Sequence, residues 1–245
     1  MSDRESAVRP PRFEHVAFPI ALGFVAGFID LFGFMAWYGL LAAHVTGNLI
    51  FLAFDITRGQ YDLGMRLAAL PIFAVSVAIS AWFIGMVARQ GRHPFLPAVI
   101  LQAATLGACI VAGLLLPPPH GPDDTTAVVI GSIALFSMGL QNTMMRVILN
   151  NLPATTVMTG NITHIVAEAV RWAAGFGAVM TPGSVAALTS RAKQVGYTLG
   201  AFTIGAVAGG LVQVHIGYIG LLLPIAALLG LLPFGRAALR AAAQF

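Results

Sequence analysis

Long runs that are almost free of charge recur along this 245-residue chain. Each run has roughly the 20 residues that a helix needs to cross a hydrocarbon core of about 30 Å. Only 9% of the residues are charged, against about a quarter in an ordinary soluble domain. The sequence therefore predicts an all-α, polytopic helix bundle whose first partner is the lipid bilayer. The six clearest spans are Val16 to Trp37, Leu67 to Val87, Phe95 to Leu116, Ala127 to Ile148, Val195 to Val214 and Ile216 to Pro233.

Basic residues lie between these spans and form no continuous patch, so a nucleic acid is not the expected partner despite a pI near 9.8. Under the positive-inside rule they predict cytoplasmic segments. The segment "PPPHGPDDTT" has two acids and no Lys or Arg, which predicts an external loop. The residues predicted to be cytoplasmic are Arg4, Arg9, Arg12, Arg89, Arg92, Arg191, Lys193, Arg236 and Arg240.

Six crossings satisfy these assignments, with both termini in the cytoplasm. Eight crossings stay the alternative if the weaker segments Leu40 to Ile56 and Ala154 to Met180 also cross, since Arg58 and Arg66 would then lie inside. The opening "MSDRESAVRPPRFEH" lacks the features of a signal peptide. The predicted units are a cytoplasmic tail (1–15), a first membrane repeat (16–116), an external loop (117–125), a second membrane repeat (126–235) and a cytoplasmic tail (236–245).

A Thr-Gly-Asn motif occurs in both halves, in "HVTGNLIFLA" and in "VMTGNITHIV". Asp30 lies sixteen residues before Thr46, and Asn142 lies seventeen before Thr159. Two apolar spans follow each motif. The pattern predicts a duplication with three spans in each half, and an odd number inverts the second half relative to the first. Each motif segment is then a re-entrant or broken helix.

These residues also carry a family resemblance over nearly the whole chain after the N-terminal tail. "GFIDLFGFMAWYGLLAAHVTGN" and "GLQNTMMRVILNNLPATTVMTGNIT" resemble the YoaK-like family of bacterial integral membrane proteins, a domain of unknown function. The resemblance implies six spans and a location in the bacterial inner membrane. It implies no substrate.

The motif has the chemistry of a helix start inside the membrane. A threonine hydroxyl can cap the free N–H groups, glycine permits close approach, and asparagine both donates and accepts. Two such starts that face each other would form a polar pocket between the halves; the alternative is that the small residues only pack helices. The predicted substrate-binding residues are Asp30, His44, Thr46, Gly47, Asn48, Gln141, Asn142, Thr159, Gly160 and Asn161.

Ionisable residues at membrane depth are costly, so they are functional candidates. Asp30 is the only acid of the first span and predicts a proton-carrying or cation-binding site, or a satisfied structural carboxylate. His164 and Glu168 share one helix face and complete the proton-relay candidates. Arg146 could neutralise Asp30, hold an anion, or extend to the membrane surface. No set of three ligands predicts a metal, and Cys109 is the only cysteine.

No catalytic motif and no nucleotide-binding domain is present in the sequence, so neither an enzyme nor a cofactor is predicted. The leading hypothesis is a secondary transporter or channel for a small polar solute or ion, with its site between the two motif segments. The alternative is a membrane-embedded sensor or accessory subunit without transport. The glycine pairs Gly23/Gly27 and Gly205/Gly209 predict close helix contacts, either within the bundle or at the seam of a homodimer.

Overall fold

The computed structural model describes residues 13–60, 62–175 and 181–234. Within these ranges the regular elements are all helical. The predicted cytoplasmic arginines of the two tails lie outside the described residues. The α-helices are α1 (Phe13–Ala36), α2 (Gly47–Thr57), α3 (Gly64–Arg89), α4 (Phe95–Leu115), α5 (Thr125–Val147), α6 (Met158–Ala173), α7 (Pro182–His215) and α8 (Leu222–Leu229).

Six helical segments of the described chain are long and apolar enough to cross a membrane: α1, α3, α4, α5, α7 and the segment Gly217–Phe234 that contains α8. This confirms the prediction of six helices of spanning length. Helix α7 has 34 residues and begins at Pro182, well before the predicted start of the fifth span at Val195. Such a helix is about 51 Å long, well beyond a hydrocarbon core of about 30 Å. Arg191 and Lys193 therefore belong to a helical extension and not to a loop.

Helices α1 and α7 run parallel with their backbones in direct contact. A Cβ added at Gly27 would lie 2.0 Å from the carbonyl oxygen of Phe202, and one at Gly205 would lie 2.1 Å from that of Phe24. Only glycine allows this approach, so both predicted glycine pairs act within the bundle and not at a dimer seam. The neighbours advance together along the two helices: Gly23 with Thr198, Gly27 with Phe202, and Phe28 with Gly209.

Helices α3 and α5 form a second parallel pair. Met65 reaches Gly131, and Ser76 meets Gly139, where an added Cβ would lie 2.6 Å from the Ser76 Cβ. Helix α4 packs on α5, and α8 packs on α1 and α4. The most buried windows belong to α1 and α5, each 67% buried. These two helices form the centre, and the remaining spanning helices surround them.

The two ends of the bundle differ in the charged residues that they carry. We call the end at the C-terminus of α1 and the N-termini of α3 and α5 the acidic end; the opposite end is the basic end. At the acidic end, Asp124 caps α5 by accepting a hydrogen bond from the backbone N–H of Thr126 at 2.7 Å, and this bond lowers the pKa of Asp124. The acidic end carries Asp55, Asp62, Asp123 and Asp124 together with Arg58 and Arg66, and the basic end carries Arg89, Arg92, Arg146, Arg191 and Lys193.

Contacts at the acidic end decide between six and eight crossings. The guanidinium of Arg66, at the start of α3, donates to the carbonyl oxygens of Gly39 and Tyr38, just after α1, both at 3.3 Å. The end of α1 and the start of α3 therefore lie together. A crossing by α2 would separate them by the thickness of a membrane, and α2 has only 11 residues. The first motif segment therefore does not cross between α1 and α3, which favours six crossings over eight.

Candidate functional site

The chain folds back along α1 as soon as that helix ends. Tyr38 and Gly39 adopt left-handed conformations with φ of 51° and 83°, which reverse the chain direction. The backbone N–H groups of Ala43 and His44 then reach the Oδ1 of Asp30, at 2.7 and 3.4 Å. Because Asp30 lies six residues before the end of α1, the returning chain penetrates about 9 Å below that end. We call residues 37–46 the first fold-back.

Asp30 and His44 form a side-chain pair at the tip of this fold-back. The Nδ1 of His44 lies 2.5 Å from the Oδ2 of Asp30, and the two side chains are 31% and 7% exposed. Both carboxylate oxygens are thereby engaged, and Nε2 is the imidazole nitrogen on the side away from the carboxylate. The ring also packs edge-on against Phe202 of α7, with centroids 5.1 Å apart. The sequence predicted both residues as site candidates, and the structure brings them together.

A cleft of about 420 Å³ opens beside this pair, between α1, α7 and the first fold-back. The Asp30 and His44 side chains supply its polar groups, and the other walls are aliphatic or aromatic. The lining residues are Asp30, Leu31, Phe34, Leu41, His44, Phe202 and Ala206. These residues of α1 and α7 all belong to membrane-spanning segments, so the cleft lies at the depth of the spans.

The second half folds back in the same manner after α5. The hydroxyl of Thr156 donates to the Oδ1 of Asn142 in a short hydrogen bond, and the Nδ2 of Asn142 donates to the carbonyl oxygen of Met138 at 2.9 Å. Thr156 follows Asn142 by fourteen residues, as His44 follows Asp30. We call residues 148–157 the second fold-back. Its polar pair has no group that titrates near neutral pH.

The asparagine of each Thr-Gly-Asn motif holds its fold-back closed. Asn48 accepts from the backbone N–H of Leu41 at 2.9 Å and donates to the carbonyl oxygen of the same residue at 2.8 Å. Asn161 donates to the carbonyl oxygen of Ala154 at 2.9 Å. The partner lies seven residues before the asparagine in both halves. The motif asparagines therefore act on the backbone of this chain.

The threonines and glycines of the motifs take other positions than predicted. Thr46 occupies the N-cap of α2 without a side-chain capping bond, and Thr159 lies inside α6, whose N-cap is Val157. A Cβ added at Gly47 would meet the side chain of Leu41 at 2.6 Å, and one at Gly160 would meet only that of Val157, at 3.2 Å. The expected threonine caps are thus absent from both helix starts. Neither glycine admits a neighbouring backbone.

The two motif segments approach the middle of the bundle from opposite ends. The Nε2 of Gln141, next to Asn142, donates to the carbonyl oxygen of Leu22 at 2.8 Å. Asp30 lies eight residues further along α1, a separation of about 12 Å along the helix axis. The first fold-back therefore ends near Asp30, and the second ends nearer the basic end. The pocket between the two helix starts stays a prediction.

Gln141 belongs to a buried polar chain that sequence reasoning saw only in part. Its Oε1 accepts from the Nε2 of Gln102 at 2.7 Å, and its Nε2 lies 3.3 Å from the Oγ1 of Thr155. Gln102 was not predicted as a site residue, although a single glutamine in the apolar sequence of α4 was a usable signal. Its Oε1 is buried with no hydrogen-bond partner in the described residues.

The other predicted proton carriers lie apart from Asp30. On the surface of α6, the Nδ1 of His164 lies 3.4 Å from the Oε2 of Glu168, and the two side chains are 45% and 48% exposed. Arg146 is exposed at the C-terminal end of α5, at the basic end, where it cannot neutralise Asp30. The structure therefore separates Asp30 and His44 from the remaining ionisable candidates.

A buried ion pair that was not predicted joins α2 to α3. The Nε of Arg66 contacts the Oδ2 of Asp55, and the side chains are only 13% and 9% exposed. The same guanidinium lies over the ring of Phe51, 5.1 Å from its centroid. From the sequence, Arg66 could serve only to predict on which side of the membrane its segment lies. Its partner could not be predicted, because that depends on how the chain returns from α2 to α3. The pair therefore holds α2 against α3, next to the first fold-back.

Helical segments of this length and apolarity, arranged in one bundle, define a multi-pass helical membrane protein. Within that class, a family model described as "Protein of unknown function (DUF1275)" matches residues 18–233. The chain belongs to this family. The YoaK-like name stays a prediction. No curated protein and no solved structure matches the chain.

Proposed function

We propose that this protein is a secondary transporter of the bacterial inner membrane, in which Asp30 and His44 carry the coupling proton. The observation that supports this most is an acid–imidazole pair in a cleft within the spanning segments. A buried carboxylate at membrane depth is expensive, which makes it a functional candidate by default. Histidine changes its charge near neutral pH and can release a proton to either side.

The proposed architecture is an inverted duplication of three spans. The first span of each half packs in parallel on the second span of the other half, which is the relation of α1 to α7 and of α5 to α3. The fourteen-residue and seven-residue bonds recur in both fold-backs. Such repeats allow a transporter to expose one site alternately to the two sides. This supports transport over a sensor, which has no need for exchangeable halves.

The site proposed here differs from the pocket that the sequence suggested. The cleft beside Asp30 and His44 replaces the space between the two Thr-Gly-Asn segments as the place where solute binds. Asn142 and Thr156 serve as the neutral counterpart in the other half and as a structural hinge of the second fold-back. No cofactor and no catalytic step is part of the proposal, and a homodimer stays a prediction.

Proton flux into proteoliposomes tests the proposal directly. Purified protein is reconstituted with an internal pH-sensitive dye, and a panel of solutes is added under an imposed pH gradient. Wild-type protein should move protons in response to at least one solute, and Asp30→Asn should abolish that response. Asp62→Asn is the matched control, because Asp62 is exposed and lies outside the cleft. Solute binding without flux in the wild-type protein would favour the sensor alternative.

Thiol labelling tests the proposed orientation. In a Cys109→Ala background, a cysteine that replaces His120 at the acidic end should react from outside with an impermeant reagent in intact cells. One that replaces Gln90 at the basic end should react only after permeabilisation. Both positions are exposed in the structure. The opposite labelling pattern would place the termini outside and contradict the localisation.

A further inference from the structure

We infer that the cleft beside Asp30 and His44 binds a small organic monocation, an apolar body with one ammonium group that donates N–H, in exchange for a proton. This inference deepens the proposed function and rests on it. It names the class of solute and the atom at which solute and proton compete.

The charge of the cleft favours a cation. Asp30 is the only acid among the seven lining residues, and none of them is Lys or Arg. With a neutral imidazole the pair therefore carries one uncompensated negative charge in a largely apolar setting, which is unfavourable. A single positive charge removes this penalty, and either a proton on His44 or a bound monocation supplies it. An anionic solute would add a second negative charge.

The geometry identifies the competing atom. Both oxygens of Asp30 are already engaged, by Ala43 and by His44. With the Nδ1 proton directed at the carboxylate, Nε2 of the neutral imidazole is an acceptor. A proton bound there makes the imidazolium; when it leaves to solvent, the same lone pair accepts an N–H from the ammonium group. Proton and solute therefore exclude each other, and the exchange conserves charge.

The neighbouring helices bring no other titratable group into the cleft. The only titratable residue that α1 contributes to the lining of the cleft is Asp30, and the lining residues of α7 are Phe202 and Ala206. The nearest titratable side chain of α7 in sequence, Tyr197, is half exposed and lies outside the lining. From α2, Asp55 is occupied by Arg66 of α3. Exchange at the cleft therefore depends on Asp30 and His44.

The walls favour an apolar body. Phe34 and Phe202 offer aromatic rings to a cation, and Leu31 and Leu41 complete the hydrocarbon surface. A volume of about 420 Å³ is within the usual range of ligand pockets and accommodates a ring with a short chain. Because five of the seven lining residues belong to α1 and α7, which are long and apolar enough to cross a membrane, we expect a solute that partitions into lipid to reach the cleft from the side. Strongly hydrated ions lack this property.

Four probes of similar shape test the inference on purified full-length protein by calorimetry: 2-phenylethylammonium, its N-trimethyl derivative, 2-phenylethanol and phenylacetate. The primary ammonium should bind most tightly, and the trimethyl derivative more weakly because it has no N–H to donate. The alcohol and the carboxylate should bind at least about tenfold more weakly than the ammonium. Affinity for the ammonium should fall as the pH falls, by up to about tenfold per pH unit, with one proton released per ligand bound, because proton and ammonium compete for one nitrogen.

Single-residue variants test whether Asp30 and His44 are the groups responsible for ammonium binding and its pH dependence. Asp30→Asn should weaken ammonium binding at least about tenfold, and His44→Gln should remove the pH dependence and the proton release. His215→Gln, an exposed histidine at the end of α7, is the matched control and should bind as wild type. If Asp30→Asn does not fold, the probe series and the proton release of the wild-type protein decide the question without it.

Phenylacetate binding as tight as that of the ammonium, or unaltered binding by Asp30→Asn, would overturn the inference. Absence of binding by all four probes would do the same. Proton flux that depends on Asp30 and is driven by another solute would then show that transport holds and only the solute class fails. Conversely, ammonium binding without flux in proteoliposomes would support the solute class and overturn the transport function.

Discussion

The two fold-backs share a backbone scaffold and differ in chemistry. In each, a residue near the end of a central helix bonds to one fourteen positions later, and an asparagine bonds to a backbone seven positions earlier. In the first, the central residue is Asp30 with His44 as partner; in the second, it is Asn142 with Thr156. A cleft of about 420 Å³ lies beside the first. The shared spacings therefore set the path of the chain in both fold-backs. The side chains at equivalent positions decide whether a fold-back carries titratable groups.

The helix seams that support the fold-backs differ in tightness as well. At the α1–α7 seam an added Cβ on Gly27 would meet a backbone carbonyl oxygen at 2.0 Å. At the α3–α5 seam one on Gly139 would meet the Cβ of Ser76 at 2.6 Å, with the nearest backbone atom at 3.5 Å. Backbone cannot move without shifting a whole helix. The first fold-back and its cleft therefore rest on the less adaptable seam.

The largest expected effect follows from this difference in seams. Gly27→Val should prevent recovery of folded protein or cost more than about 3 kcal/mol, whereas Gly139→Val should cost about 1–3 kcal/mol. Gly200→Val is the control, since nothing lies within 4 Å of its Cβ position, and it should change stability by less than about 0.5 kcal/mol. Thermal melting of purified protein measures all three. Equal melting temperatures for Gly27→Val and Gly139→Val would contradict the difference between the seams.

Exchanging the central residues tests the chemical difference between the fold-backs. Asp30→Asn should cost about 1–3 kcal/mol, as expected for hydrogen bonds to a charged group, and should abolish proton coupling. Asn142→Asp should also destabilise at neutral pH, because it directs a carboxylate at the carbonyl oxygen of Met138, to which Asn142 now donates. Melting and proteoliposome flux are measured on each variant and on the double variant. Restored proton coupling in the double variant would show that the two positions are interchangeable. That result would contradict the conclusion that the two fold-backs differ in chemistry.

Removing the motif asparagines tests the shared scaffold. Asn48→Ala removes two bonds to Leu41 from a side chain that is 1% exposed, and should cost about 2–3 kcal/mol. Asn161→Ala removes one bond to Ala154 at a half-buried position and should cost about 1 kcal/mol. Melting curves give both values. A larger loss for Asn161→Ala would show that the second fold-back is the more tightly held of the two.

The smallest effects are expected at the motif glycines. Gly47→Val meets the flexible end of Leu41 and should cost about 1 kcal/mol, at the low end for overpacking. Gly160→Val lies on the exposed surface of α6 and should change stability by less than about 0.5 kcal/mol. Solute binding should survive Gly160→Val. Loss of binding by both variants with unchanged melting would instead support a paired pocket between the motifs.

Much of the bundle was predictable from the sequence because membrane crossing is a property of single segments. Apolar length located the six spans, and the acid-rich loop after α4 lies at the acidic end as its composition suggested. The start of α7 was missed because hydropathy detects the part of a helix in lipid and not its polar continuation. Arg191 and Lys193 stand in that continuation.

Prediction of the site was partial for a different reason. Asp30, His44 and Asn142 were selected as polar residues in apolar surroundings, and each does lie at a fold-back. The threonine caps were not found, since the helix starts are held by asparagine bonds to backbone instead. The ion pair of Asp55 with Arg66 was missed, because no spacing rule connects residues on two helices whose crossing is unknown.

Composition and spacing were enough to predict six segments long and apolar enough to cross a membrane, to find Thr-Gly-Asn twice, and to single out Asp30 as the one acid of the first span. These follow from composition and spacing, which act on each segment separately. The tertiary structure was needed to show that His44 returns to Asp30 and that α7 packs against them. It was also needed to show that Gln141 reaches Leu22, about 12 Å from Asp30 along the axis of α1. The reason is that these contacts join residues brought close by chain reversal and helix packing, and their free energy depends on distances that no local pattern encodes.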